Sequence, residues 1–230
     1  MTDRPQDSAT RADRILDAAG ELLLRLGYRK VTIDDVAKQA DVGKGTVYLH
    51  WRSKEQLFTA LVIRTSLELT EELLALLRAD PMEVLPHRFI RSSFLAAMRR
   101  PVMFALLTGD TELLGKLGQG PLRRLKAQSG QQYSRMMIER GLLRGDVPQL
   151  DYAIRSAILG FFLLENLDRE ATHFAAAAKA DALAHVVRHA FEPAGAPDPA
   201  VVADAAAQLA AQLEAFLASS RAWIYEGRLP

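Results

Sequence analysis

The stretch Ala40–Phe58, "ADVGKGTVYLHWRSKEQLF", carries the fixed positive charges Lys44, Arg52 and Lys54, and no acid stands between Asp41 and Glu55. Thr46 and Tyr48 add hydroxyls of the kind that meets phosphate oxygens or base edges, and His50 reads equally as a phosphate contact or as packing beside Trp51. Gly43 and Gly45 let backbone approach another backbone or a phosphate. Ser53 reads as a helix cap, which puts Lys54 in a first turn, where its charge adds to the positive end of the helix dipole. A lysine there does little for the helix and suits a phosphate. These residue types point to anion contact. Covalent chemistry has less to stand on: the chain has no cysteine, and it shows no convergent His/Asp/Ser set, no phosphate-binding glycine loop and no carboxylate pair placed by a motif.

Such contacts need elements to hold them. Ile15, Ala19, Leu22 and Leu26 share one face of a helix expected over 10–26, with Gly27 as its stop. Thr32 is the expected N-cap of a second, short helix, with Asp34 and Asp35 in its first turn and Val36, Ala37 and Ala40 facing inward. Asp41 marks the turn, since Asp tolerates a left-handed backbone better than most residues. Val42 plugs the turn into the core, and a third helix over 44–50 turns Val47 inward. Helix, short turn, short helix is the geometry that carries a second helix into the DNA major groove. "SKEQ" at 53–56 fits a capping box opening a long helix to about 77.

Farther along, the periodicity predicts helices over 82–99, 101–108, 121–141, 149–168, 172–191 and 200–221, with "EPAGAPDP" (192–199) as the clearest linker. Strict apolar/polar alternation never persists, so the expected class is all-α. The alanine runs 175–178 and 205–207 read as close-packing helix faces. Lys plus Arg is 29 and Asp plus Glu is 28, so any basic footprint is local. The N-terminus lacks a signal-peptide core, and no apolar run approaches the ~18 residues that span a membrane. A cytosolic location is expected.

The segment from about Arg11 to Leu61, with "GYRKVTIDDVAKQADV" followed by "GKGTVYLHWRSKEQLF", resembles the N-terminal helix-turn-helix domain of the tetracycline-repressor (TetR) family of transcriptional regulators. "RGLLRGDV" (140–147) is similar, more weakly, to that family's lead-in to its dimer helices. The family often has Gly, Ser and Phe where this chain has Asp41, Gly43 and Trp51. Trp51 is expected to fill the same core corner. The resemblance implies DNA-contact roles for Thr32, Lys44, Thr46, Tyr48, His50 and Lys54, and at Gly43 a contact reduced to the backbone N–H. It implies a three-helix DNA-binding domain over 1–55 and a larger effector-binding and dimerisation domain over 56–230. In this family the middle helices enclose an effector pocket. Met98, Met103, Phe104, Tyr133, Met137, Phe161, Phe162 and the polar Asn166 are therefore the expected lining for a hydrophobic or amphipathic small molecule.

A helix-turn-helix head of this size offers few base contacts, so a homodimer on a palindromic operator is expected. Ile154, Ile158 and Phe161 on helix 149–168, with Leu183 and Val187 on helix 172–191, are its candidate interface. His185 and His189 have the i, i+4 spacing of two metal ligands, but "HVVRH" lacks the Glu of a metalloprotease motif and reads as surface or interface histidines. No cofactor or metal is expected. The competing reading is an all-helical enzyme or small-molecule carrier without a DNA role, which would need a catalytic constellation.

Overall fold

The structure is a computed structural model and describes residues 5–118, 121–168 and 173–226. No strand occurs among the described residues, and the class is all-α. The helices are α1 (Pro5–Leu26), α2 (Ile33–Gln39), α3 (Lys44–His50), α4 (Lys54–Ala79), α5 (Pro86–Met98), α6 (Pro101–Thr108), α7 (Thr111–Leu114), α8 (Pro121–Glu139), α9 (Leu150–Leu167), α10 (Ala176–Phe191) and α11 (Pro199–Glu226). They divide into two compact units. The first comprises Met1–Glu68, Pro101–Gly120 and Phe216–Pro230; the second comprises Leu69–Arg100 and Pro121–Ala215.

In the first unit, α1 packs against α2, α3, α6 and α7. Of its expected apolar stripe, Ile15, Ala19 and Leu22 are buried while Leu26, in the last turn, is exposed; Leu16 and Leu23 join the buried face, which meets a core of Val36, Val47, Trp51, Leu57 and Phe58. Ala37 is also buried, as the crossing of α2 requires. Gly27 ends α1 at φ +75°, with its N–H on Leu23 O at 2.8 Å. The helix starts at Pro5, ahead of the expected Thr10. α7 and the 3-10 turn that follows it, Gly115–Gly118, have no counterpart in the sequence reading. Asp110 caps α7 by accepting the N–H groups of Glu112 and Leu113.

In the second unit, the expected helix over 82–99 is a 3-10 turn, Pro81–Val84, followed by α5. Each begins with a proline at its first position, where the missing N–H is not needed, and Pro86 cannot continue the preceding turn. α10 packs against α5 and α9. Phe94 of α5 and Phe162 of α9 meet with ring centroids 4.5 Å apart. Glu192, whose side chain is 2% exposed, accepts from the His87 N–H (2.6 Å) at the start of α5 and from Arg188 Nη1 (3.0 Å). A carboxylate there satisfies an orphan donor and complements the helix dipole.

α11 corrects one expectation. By length and composition Pro199–Arg221 is apolar enough to cross a membrane. Repeated alanines raise its mean hydropathy although no unbroken apolar run is present. Val202, Ala205, Ala206, Leu209 and Leu217 are buried within the protein.

Candidate nucleic-acid interface

The turn between α2 and α3 is built by local chemistry. Thr32 caps α2 with a full capping box: its Oγ1 accepts the Asp35 N–H at 3.2 Å, and its own N–H donates to Asp35 Oδ2 at 2.9 Å. The Thr32 hydroxyl also donates to that carboxylate at 2.7 Å. Hydrogen bonds from the Thr32 side chain and backbone hold the Asp35 carboxyl below its ordinary range. In this arrangement the Thr32 hydroxyl proton is committed to Asp35 and is not offered to a phosphate. Asp41 takes φ +53°, the left-handed conformation its type predicted, and the Val42 N–H closes on Ala37 O at 3.0 Å. Gly43 is the N-cap of α3 and has no side chain to contribute. Its carbonyl accepts the Thr46 N–H at 2.9 Å.

α3 then presents a defined outer surface. Val47 points inward at 0% exposure, while Lys44, Gly45, Tyr48 and Leu49 face solvent. Thr46 and His50 are half-buried. Lys44 Nζ pairs with Asp34 Oδ2 at 2.9 Å, which raises the ammonium pKa through the hydrogen bond first and the charge second. Burial, followed by the charge of Arg11, pushes the His50 imidazole down from its ordinary value. It leans on Trp51 with centroids 5.3 Å apart. Trp51 fills the expected core corner at 3% exposure, and its indole N–H is buried without a hydrogen-bond partner.

Leu49 was missed by the search for polar contact chemistry. It is 86% exposed, the most exposed large apolar side chain among those of the first unit that are described. The signal was in the sequence: a leucine two places after inward Val47 on a short helix must look outward. Gly45 lies one turn before it, and a Cβ added there would meet nothing within 4 Å. The outer surface of α3 is therefore shallow at Gly45 and apolar at Leu49.

At the start of α4, Ser53 Oγ accepts the Gln56 N–H at 3.1 Å, as the capping box predicts. The return bond shifts by one residue, because Gln56 Oε1 accepts the Arg52 N–H at 2.8 Å. Lys54 is half-buried, with Nζ 4.4 Å from the centroid of the Tyr28 ring. Burial lowers its pKa, and the nearby charge of Asp35 offsets part of that.

The effector candidates fall in both units. Met103 and Phe104 belong to the first unit; Met98, Tyr133, Met137, Phe161 and Phe162 belong to the second. Asn166 has a side chain that lies outside the described residues. Met103, Met137 and Phe162 are buried in core, with Met137 at 0% exposure. Tyr133 stacks on Phe89 (5.0 Å) and donates its hydroxyl to Val84 O at 3.1 Å. Burial, aided by the charge of Glu192, raises its phenol well above the ordinary value. A cavity of about 600 Å³ opens elsewhere in the second unit, lined by Arg144, Arg188, His189, Glu192 and the 193–195 loop, and none of the effector candidates lines it.

The interface candidates divide as well. Leu183 and Val187 are at 0% exposure and Ile154 at 6%, so all three are used inside the chain, while Ile158 and Phe161 are half-buried. The apolar side chains exposed on these helices are Tyr152 (70%), Leu159, Leu164 and Leu167 (83%) of α9 and Val186 of α10, with Phe174 (63%) just before α10. Ala175–Ala178, expected to pack closely, face solvent, whereas in the second run Ala205 and Ala206 are buried and Ala207 is exposed. His185 and His189 stack with centroids 4.1 Å apart. Among the described residues no three metal-ligating side chains gather.

Residues 15–61 match the family model described as bacterial regulatory proteins, tetR family. The uncharacterized HTH-type transcriptional regulator YhgD of Bacillus subtilis (strain 168) is 47% identical over 51 residues, 22% of this chain and 27% of that protein. The match thus spans about a quarter of that relative's length. YvkB, another uncharacterized HTH-type transcriptional regulator of the same strain, is 29% identical over 165 residues, 65% of this chain and 80% of the relative. The fold is similar to the crystal structure of a putative tetR family transcription regulator from Shewanella sp. PV-4. That likeness has a TM-score of 0.53 at 18% identity and covers 79% of this chain and 97% of the other.

Proposed function

We propose that this chain, whose residues 15–61 match the tetR family model, is a transcriptional regulator with a DNA-binding helix-turn-helix and acts as a ligand-responsive repressor. It acts as a homodimer on a palindromic operator in the cytoplasm and is not an enzyme. A hydrophobic or amphipathic effector releases it. The functional division is the one expected from sequence: residues 1–55 read DNA, and residues 56–230 dimerise and bind the effector.

The observation that carries the DNA reading is the outer surface of α3. Lys44, Tyr48 and Leu49 face solvent on a helix whose inner side is anchored by Val47. That surface combines charge for phosphates, a hydroxyl for phosphate or base edge, and an apolar tip for a thymine methyl. Gly43 contributes its backbone N–H, with Thr46 and His50 at the margins and Lys54 at the start of α4. Selection of bound sequences from a random DNA pool, using the full chain, tests this. Recovery of a palindrome with half-sites about 34–36 Å apart, or a multiple of that, supports it. Recovery of no sequence preference removes it.

An effector can shift the protein only by binding one conformer more tightly than the other. The half-buried Met98 and Phe161 are better lining candidates than Phe162, which already packs on Phe94 at 4.5 Å. Phe161→Trp is expected to blunt effector release while operator binding survives. Normal release by the identified effector would move the pocket elsewhere.

A further inference from the structure

Tyr28 stands in the connection between α1 and α2, is not among the residues expected to touch DNA, and is held on several sides. Its N–H donates to Leu113 O of α7 at 2.8 Å. One ring edge meets Phe58 of α4 in a T-shaped contact, with centroids 5.4 Å apart and planes at 84°. Gly115, at φ +54°, lies so close that a Cβ there would sit 2.9 Å from Tyr28 Cδ1. The ring therefore has little freedom to move, and the Lys54 ammonium sits over it at 4.4 Å.

We infer that Tyr28 is a positioning residue for Lys54: its fixed ring holds the ammonium at the start of α4, ready to meet a DNA phosphate. This rests on the reading of Lys54 as a phosphate contact. The physical argument is one of preorganisation. A free lysine side chain has many rotamers to lose on binding, and a cation held over an aromatic face has lost part of that freedom beforehand. The ring occupies only one side of the ammonium, and three N–H donors leave room for a phosphate oxygen. Burial also lowers the lysine pKa, the direction expected for an ammonium partly withdrawn from water. The plain alternative is that Tyr28 only fills core between α1 and α4.

Operator binding by the full chain, measured across a salt series for single and double variants, separates the two. Tyr28→Leu is expected to weaken binding about two- to ten-fold, the scale of ordering one flexible side chain on binding. Tyr28→Phe, which keeps the ring, should bind like wild type. The salt slope of Tyr28→Leu should match wild type because the phosphate contact survives, whereas Lys54→Ala should lower the slope by about 0.9. In the Lys54→Ala background, Tyr28→Leu should cause no further loss. A loss that persists there makes Tyr28 merely structural and overturns the inference. So does a neutral Tyr28→Leu beside a weakened Lys54→Ala. A neutral Lys54→Ala removes the phosphate reading underneath, and this inference goes with it. Should Tyr28→Leu not fold, proton NMR of the wild type decides: the Lys54 ε-methylene protons should be shifted upfield by the ring, and random-coil shifts overturn the proposal.

Discussion

Single residues on the outer surface of α3, the face proposed to meet DNA, are set against one another. Lys44 is paired with Asp34 at 2.9 Å, and both side chains are more than half exposed, so the pair is weak and a phosphate competes with a carboxylate for one ammonium. Asp34→Asn frees the lysine and removes a negative charge from the same surface. Operator binding should tighten about two- to five-fold with a steeper salt dependence; unchanged or weaker binding in a gel-shift titration would take Lys44 off the contact surface. Leu49 makes a different kind of statement. At 86% exposure it gains nothing from the free protein's core, but the C5-methyl of thymine is an apolar group in the major groove that it can cover. Replacing the contacted thymine by uracil removes one methyl and should weaken wild-type binding about four-fold, the transfer free energy of one carbon. The Leu49→Ala protein should not sense that replacement. If the two proteins respond alike to uracil at every site position, Leu49 does not read thymine.

The helix-turn-helix is an element whose geometry is fixed by local rules, and that is why so much of it was legible. Thr32 with Asp35, Asp41, Gly43 and Ser53 with Gln56 each act within four residues, so their spacing alone placed the ends of α2, α3 and α4 close to where they lie. Asp41 at φ +53° carries the residual strain of that turn. A side chain in the left-handed region costs about 1 kcal/mol relative to glycine, less for Asp than for most residues. Asp41→Gly should therefore raise stability by up to about 1 kcal/mol in urea denaturation, and Asp41→Val should lower it by at least as much. A destabilised Asp41→Gly would mean that the carboxylate does more than tolerate the turn. Where structure depends on distant partners, the sequence was silent. α7 is four residues long, flanked by Gly109 and Gly115, and is tied down by the Tyr28 N–H from far earlier in the chain, which no window of neighbouring residues reveals. Tyr28 and Leu49 escaped for related reasons: one acts through a fold contact, and the other has a side chain without polar chemistry. Residue type alone does not say which unit a buried Met or Phe belongs to, so the effector candidates fall in both.

At the scale of the whole molecule, several of the exposed apolar side chains among the described residues lie on α9 and at α10. Tyr152, Leu159, Leu164, Leu167, Phe174 and Val186 are exposed there, and Ala178 and Ala182 add small exposed positions on α10. Large side chains left in water beside small ones that allow close approach are what two antiparallel helix pairs need to form a four-helix bundle. The same helices turn Leu183 and Val187 inward at 0% exposure, so those side chains hold the protomer together and are not offered to a partner. Two classes of variant therefore have different expected outcomes. Leu183→Glu buries an unpaired charge and should lower the melting temperature of the protomer itself, with lost dimerisation as a consequence. Leu159→Arg and Val186→Glu place charge on exposed positions and should leave helix content and protomer melting nearly unchanged, while shifting the particle from twice 25.4 kDa to that mass in light scattering at micromolar concentration. If the operator is the proposed palindrome, their affinity for it should fall, since one head alone reads half of it. A wild-type particle of 25.4 kDa would refute the dimer outright. A dimer that survives both exposed substitutions would place the interface on another surface, and α11, alanine-rich with much of its length facing solvent, would be the next to test.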